Sequence, residues 1–231
     1  CILCGQGNAD KDMNGHKVIL HGMNFHAYCM KFSAGIFQQE NISEDIFLPD
    51  IILAIRKIEN THCFVCGKRG ASISCAQAGC DRSFHLPCAS EGECVTQYFD
   101  TFRSFCREHR PQQEVKAVPA PDTTCIMCMD PVGDCVSYGT MVCPACEHAW
   151  FHRACVQEQA MNAGILYFDC PLCRDICFFV GVMRKMGIRI PPRFPTWENE
   201  DKFEPEPRSH SRCDASECRY RYGREEAARS G

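Results

Sequence analysis

Residues 63–109 read CFVCGKRGASISCAQAGCDRSFHLPCASEGECVTQYFDTFRSFCREH. Their metal-type side chains fall in four pairs: Cys63 and Cys66, Cys75 and Cys80, His85 and Cys88, Cys106 and His109. A short gap lets both members of a pair reach two corners of one tetrahedron, the arrangement zinc takes with Cys and His ligands. Four pairs in series suit two ions in a cross-brace, with pairs one and three sharing one ion and pairs two and four the other. Interleaving ties distant chain together without a large core, so binding energy becomes folding energy. Four protein ligands leave no open coordination position, which makes such ions structural.

The pattern recurs on both sides. Downstream, Cys125 and Cys128, Cys143 and Cys146, His152 and Cys155, Cys170 and Cys173 form a second set of four pairs. His148 competes with His152, and Cys135 competes with Cys143. Upstream, Cys1, Cys4, His26 and Cys29 form a single two-plus-two site, with His21 as a rival to His26. The three sets predict five zinc ions. They leave Cys94, Cys135 and Cys177, expected to pack as small apolar residues. They also leave Cys213 and Cys218, expected to be half of a truncated further zinc motif.

Composition agrees with many small stapled cores. The chain holds 21 Cys in 231 residues, about 9% and near the level of a metal or disulfide scaffold. Histidines recurring three positions from cysteines favour metal over disulfides, which implies a reducing compartment. No signal-peptide pattern and no apolar run long enough for a membrane span occur. Three helices are expected: about 49–59, with Ile51, Ile52, Ile55 and Ile58 on one face, one from Arg153 to Gly164, and one from Arg174 to Met186 capped by Gly187. The division expected is a zinc knuckle and bridging helix over 1–60, a finger over 61–110, a Pro-rich linker over 111–123, a second cross-brace over 124–188 and a disordered tail over 189–231.

The upstream set resembles an extended PHD: a zinc knuckle with ligand order Cys, Cys, His, Cys, a bridging helix, and a PHD finger ending in Cys-x2-His. Phe84, just before His85, matches the aromatic of that finger. The fold class implied is small zinc-stabilised α+β modules, an extended PHD followed by a cross-brace RING-like module. In the latter, one histidine stands among seven cysteines. Phe168 before Cys170 is PHD-like. Ile126, Pro171 and Leu172 match the RING groove for a ubiquitin-conjugating enzyme, with Trp150 completing that surface. Arg174 matches the cation that bridges the conjugating enzyme and its ubiquitin, a job suited to a multi-donor guanidinium.

The whole order, with the stretches HAWFHRACVQEQAMNAG and RCDASEC, is similar to the PHD finger protein 7 family, related to the G2/M-phase-specific ubiquitin ligase. That resemblance implies a nuclear RING-type ubiquitin ligase acting on core histones, histone 3 or histone 2A. Its partners would be a conjugating enzyme, ubiquitin and histone tails or the nucleosome. The alternative is a non-catalytic chromatin reader with two PHD-type modules. Peptide would add along Gly70, Ala71, Ser72, Ile73 and Ser74, as PHD fingers do. Tyr98, Phe99, Phe102 and Phe105 are candidates for a methyl-lysine cage, though they read better as core. Charge fits a basic partner: the formal net charge is −4. Sixteen ligand thiolates and five zinc dications would bring it to about −10.

Overall fold

The computed structural model describes residues 1–7, 10–33, 48–115 and 118–198. The predicted helix near residue 49 begins at Leu48, and Cys213 and Cys218 lie outside the described residues.

A short helix α1 (Lys11–Asn14) is capped by the Asp10 carboxylate, which accepts from the Asp12 N–H at 2.8 Å. Strands β1 (Lys17–Leu20) and β2 (Met23–His26) pair antiparallel, from Lys17 opposite His26 to Leu20 opposite Met23. Their two-residue turn, His21 and Gly22, has φ of 48° and 78°, the double positive φ of a tight hairpin. That turn delivers His26 to the start of α2 (Ala27–Phe32), which carries Cys29. Helix α3 (Leu48–Glu59) buries Ile51 and Ala54, while Ile55 and Ile58 are half-buried and Ile52 faces water. The finger adds two minimal ladders, β3 (Ile73–Ser74) with β4 (Ser83–Phe84) and β5 (Val95–Thr96) with β6 (Ser104–Phe105). Phe25, Met30, Ile51, Ile73 and Phe84 close one shared core over residues 3–94. Each fully buried side chain of this size contributes roughly 1.5–3 kcal/mol.

The second cross-brace has one ladder, β7 (Thr140–Val142) with β8 (Trp150–His152), then α4 (Arg153–Tyr167) and α5 (Cys177–Lys185). Its core centres on Phe151, Phe168, Phe179, Met141 and Met183. α5 starts later than the sequence suggested, because Arg174 takes φ 61°; the Asp175 carboxylate then accepts from the Phe179 N–H at 2.9 Å. α4 breaks at Gly164, where φ is 62° and an added Cβ would overlap the Arg193 carbonyl oxygen. A side chain there would expel the segment that follows α5.

That segment corrects the expectation of a disordered tail, at least to residue 198. The Ile165 N–H donates to the Pro191 carbonyl (3.0 Å), and Arg193 donates to the Met161 carbonyl (2.6 Å) and to Asp12 (3.2 Å). Arg189 is buried. Its guanidinium lies 4.7 Å from the Tyr28 ring centroid and 5.3 Å from that of Tyr98, and it donates to the Asp12 and Ile190 carbonyls and the Tyr28 hydroxyl. Tyr98, weighed as a cage wall for a methylated lysine, thus holds a cation of its own chain. Gln97 donates to the Lys185 carbonyl (2.9 Å) and Tyr138 to the Cys94 carbonyl (3.1 Å), so the two cross-braces are docked. The linker also lies down: Gln113 donates to the Val142 carbonyl and accepts from its N–H.

Candidate metal centres and the face beside them

Twenty side chains gather into five groups of four, each with its ligand atoms within 4.8 Å of one another: Cys1, Cys4, His26, Cys29; Cys63, Cys66, His85, Cys88; Cys75, Cys80, Cys106, His109; Cys125, Cys128, His152, Cys155; and Cys143, Cys146, Cys170, Cys173. The pairing is interleaved in both cross-braces. The rivals stand apart. His21, His148 and Cys135 belong to none of the groups, and Cys135 is exposed. Cys177 is exposed too, so only Cys94 of these three leftover cysteines is packed inside. Burial depends on neighbours that the cysteine alone does not announce.

The donor geometry fits zinc. A tetrahedral ion with Zn–S of about 2.3 Å and Zn–N of about 2.05 Å sets ligand edges of about 3.6 Å for S···N and about 3.8 Å for S···S. His26 Nδ1 lies 3.5 Å from Cys4 Sγ and 3.8 Å from Cys29 Sγ. His85 Nδ1 lies 3.5 and 3.7 Å from the Cys66 and Cys88 sulfurs. His109 Nδ1 lies 3.6 and 3.3 Å from Cys75 and Cys106, and Cys143 and Cys173 are 3.8 Å apart. These are edges of a coordination polyhedron. Two histidines have their far nitrogen fixed as well: His85 Nε2 sits 3.2 Å from the Arg69 carbonyl oxygen and His152 Nε2 3.0 Å from that of Pro131. An Nε2–H donating there leaves Nδ1 as the ligand atom.

Electrostatics points the same way. Burial pushes the Cys125 thiol up, yet the backbone N–H groups of Cys128, His152 and Met127 bring it down to about 7. Its neighbour Cys155 is pushed up to about 12 by burial and by the Cys128 and Cys125 sulfurs. Thiols this close compete for one ionisation unless a dication lies among them.

Each Cys-x2-Cys knuckle shares one backbone device. The residue after the second cysteine donates its N–H to the first cysteine's carbonyl, at 2.9 Å for Gly5 and Gly67, 2.8 Å for Met129 and Arg174, and 3.0 Å for Glu147. All five sit at positive φ, between 59° and 71°. Arg174 is therefore aimed by the zinc knuckle itself, which its position in sequence did not reveal.

The side chains on the Cys125–Cys128 and Cys170–Cys173 knuckles differ in exposure. Leu172 and Arg174 are exposed, Ile126 and Pro171 half-exposed. Arg174 makes a 3.4 Å ion pair with Asp169. Trp150 does not belong with these side chains: it is buried on β8 opposite Val142, a correction to the surface expected from sequence. Phe168 is buried against Phe179, with ring centroids 5.1 Å apart. The first cross-brace differs at its first knuckle. There Arg82 lies over the Phe64 ring at 5.7 Å and pairs with Glu108 at 2.5 Å. Of the peptide segment, Ala71, Ser72 and Ile73 are buried, Gly70 is half-buried, and only Ser74 is exposed. The Gly70 and Ala71 amides already donate to the Thr61 carbonyl.

Residues 26–110 match the family described as a PHD-like zinc-binding domain, whose ligands run one His, five Cys, one His, two Cys and one His. From His26 to His109 the grouped ligands follow that order. The chain is 35% identical to the G2/M phase-specific E3 ubiquitin-protein ligase of Homo sapiens and 36% identical to that of Gallus gallus, over 97% of its length in both. It spans about one third of the length of those relatives, 33% and 31% respectively. Mouse histone-lysine N-methyltransferase 2D is 28% identical over 64% of the chain and 2% of its own. This chain is a homologue of the G2/M phase-specific E3 ubiquitin-protein ligases, and it carries the PHD-like zinc-binding domain at its amino-terminal side.

Proposed function

We propose that the chain is a RING-type ubiquitin ligase holding five zinc ions, which reads chromatin through residues 1–110 and transfers ubiquitin through residues 124–188. The observation that carries this reading is the exposure of Leu172 and Arg174, with Ile126 and Pro171 half-exposed, on the knuckles of a frame built to hold metal. The zinc ions supply rigidity there and leave no coordination position for chemistry. A conjugating enzyme would seat its loops on the three apolar residues. Arg174 would hold its ubiquitin in a restricted pose, so catalysis is by orientation. A substrate lysine amine then attacks the thioester carbonyl. The C–S bond breaks, the isopeptide C–N bond forms, and the amine proton leaves with the conjugating enzyme's thiol.

The likeness to a histone-lysine methyltransferase and to PHD-like domains supports a histone partner, histone 3 or histone 2A, and a nuclear setting. A peptide strand along Gly70–Ser74 belongs to the same proposal. Among the described residues no helix is long and apolar enough to cross a membrane. A non-catalytic reader with two PHD-type modules is favoured by one observation, the PHD-like burial of Phe168. Ubiquitination of nucleosomes separates the two. Wild type should modify a core histone, and Ile126→Ala should not. Failure of the wild type to discharge a ubiquitin-loaded conjugating enzyme would reject the ligase reading. Discharge without histone modification would reject only the histone partner.

A further inference from the structure

Beside Arg174 the surface opens into a cleft of about 510 Å³, walled by Leu166, Tyr167, Asp169, Arg174, Ile176 and Trp197 among others. Its apolar walls are unusually bare: Trp197 is 51% exposed, Leu166 56%, Tyr167 50% and Ile176 51%. Large exposed apolar patches mark interaction surfaces, and Trp, Tyr and Arg dominate their energetics.

This patch is built. Trp197 is brought by the segment after α5, which crosses α4 at the Gly164 break and is pinned by Pro191, Arg193 and the Thr196 hydroxyl near Asn162. It meets the Tyr167 ring edge-on at 6.2 Å. The segment is thereby held so as to show an aromatic pair to solvent next to the cation of the transfer face.

We infer that this cleft is a second contact for the donor ubiquitin, with Trp197, Tyr167 and Leu166 receiving apolar surface of the ubiquitin that Arg174 helps to hold. The inference rests on the ligase reading above. Geometry selects the occupant. Arg174 lines the cleft, whereas Ile126, Pro171 and Leu172 do not. The conjugating enzyme takes those three, so what reaches across Arg174 into the cleft is the protein tethered to it. Arg174 is thus shared by the cleft and the proposed transfer face, and it pairs with Asp169, the other charged residue among the cleft's described walls. Such a surface suits a neutral apolar partner and gives little purchase to a basic tail. Trp197, Tyr167 and Leu166 act as positioning residues, since they touch the donor away from its thioester.

The test compares two affinities of the zinc-loaded chain: for a free conjugating enzyme, and for the same enzyme joined to ubiquitin by a stable isopeptide. Wild type should bind the conjugate more tightly. Trp197→Ala and Leu166→Asp, both at exposed positions, should erase that increment while holding free-enzyme affinity within about twofold, and slow discharge to free lysine about tenfold. Unchanged melting and zinc content show that the fold survives. An unaltered increment in both variants overturns the inference, as does an equal loss for free and joined enzyme, which would place the cleft under the enzyme itself. Ile126→Ala distinguishes the layers. If it abolishes discharge while Trp197→Ala has no effect, the cleft proposal fails alone. If it leaves discharge intact, the ligase reading fails first.

Discussion

The frame that starts at Cys63 and the frame that starts at Cys125 can be matched almost bond for bond. In each the first cysteine donates its N–H to a carbonyl five residues on, that of Lys68 or Asp130, at 2.8 Å. In each the residue after that cysteine donates across the frame, Phe64 to Ser83 at 2.9 Å and Ile126 to Trp150 at 3.2 Å. In each a fully buried phenylalanine, Phe84 or Phe151, precedes the histidine ligand, whose far nitrogen meets a backbone carbonyl. The difference is what covers the first knuckle. Phe64 is roofed by Arg82 and Glu108, and Arg82 holds the Glu108 carboxyl below its usual range. At the matching places in the second frame stand Ala149 and Leu172, so no such ion pair crosses Ile126, which is half-buried as Phe64 is. Ligand order thus says little about activity. A few side chains on a similarly interleaved frame decide whether an ion pair crosses the first knuckle.

The comparison can be broken most severely at the metal. Removing an ion costs on the order of 10 kcal/mol of folding energy, comparable with the whole stability of a domain. Cys63→Ser and Cys125→Ser should each collapse their own frame, with loss of more than one ion in native mass spectrometry because the cross-braces interleave. If either variant keeps the native ion count, that frame is not held as described.

A smaller effect tests the roof. Leu172→Glu places on the second frame the acid that Glu108 supplies on the first. Leu172 is exposed, so folding and zinc content should survive. Discharge of a ubiquitin-loaded conjugating enzyme should fall about 100-fold, equivalent to ~2.7 kcal/mol. A variant that remains active would show that the uncharged Leu172 is not what separates the frames.

Why the frames were legible and their surroundings were not follows from the range of the forces. A Cys-x2-Cys pair is set by local geometry, so its spacing carries the answer in the sequence. Trp150, Cys135 and Cys177 depend on which face meets a neighbour, and no local rule assigned them correctly. Arg189 is the sharpest case. Between Gly187 and Pro191 an arginine in a Pro- and charge-rich stretch reads as solvated, yet it is buried between two tyrosines, Tyr28 and Tyr98, that lie far upstream in the chain. Only tertiary contact could supply that answer. Arg189→Met should therefore cost about 2 kcal/mol, from the desolvated cation–π contacts it removes. The melting temperature should fall, and proteases should reach residues 110–123 sooner, while both frames keep their zinc. If cleavage there is unchanged, Arg189 does not tie the two frames together.

The smallest expected change in stability discriminates most finely. Arg174 occupies a left-handed backbone position that a non-glycine residue enters at a cost of roughly 1 kcal/mol. The Cys1–Cys4 and Cys63–Cys66 knuckles place glycine there, Gly5 and Gly67, while the Cys170–Cys173 knuckle places Arg174 and accepts the strain. Arg174→Gly should then leave the melting temperature level or slightly raised, since the 3.4 Å pair with Asp169 is exposed on the arginine side and worth little. Discharge should nevertheless fall about tenfold, ~1.4 kcal/mol, because the cation is gone. Stability and activity moving in opposite directions would mark the arginine as retained for transfer. A fall in both would mean that it holds the knuckle, and the two frames would differ less than their surfaces suggest.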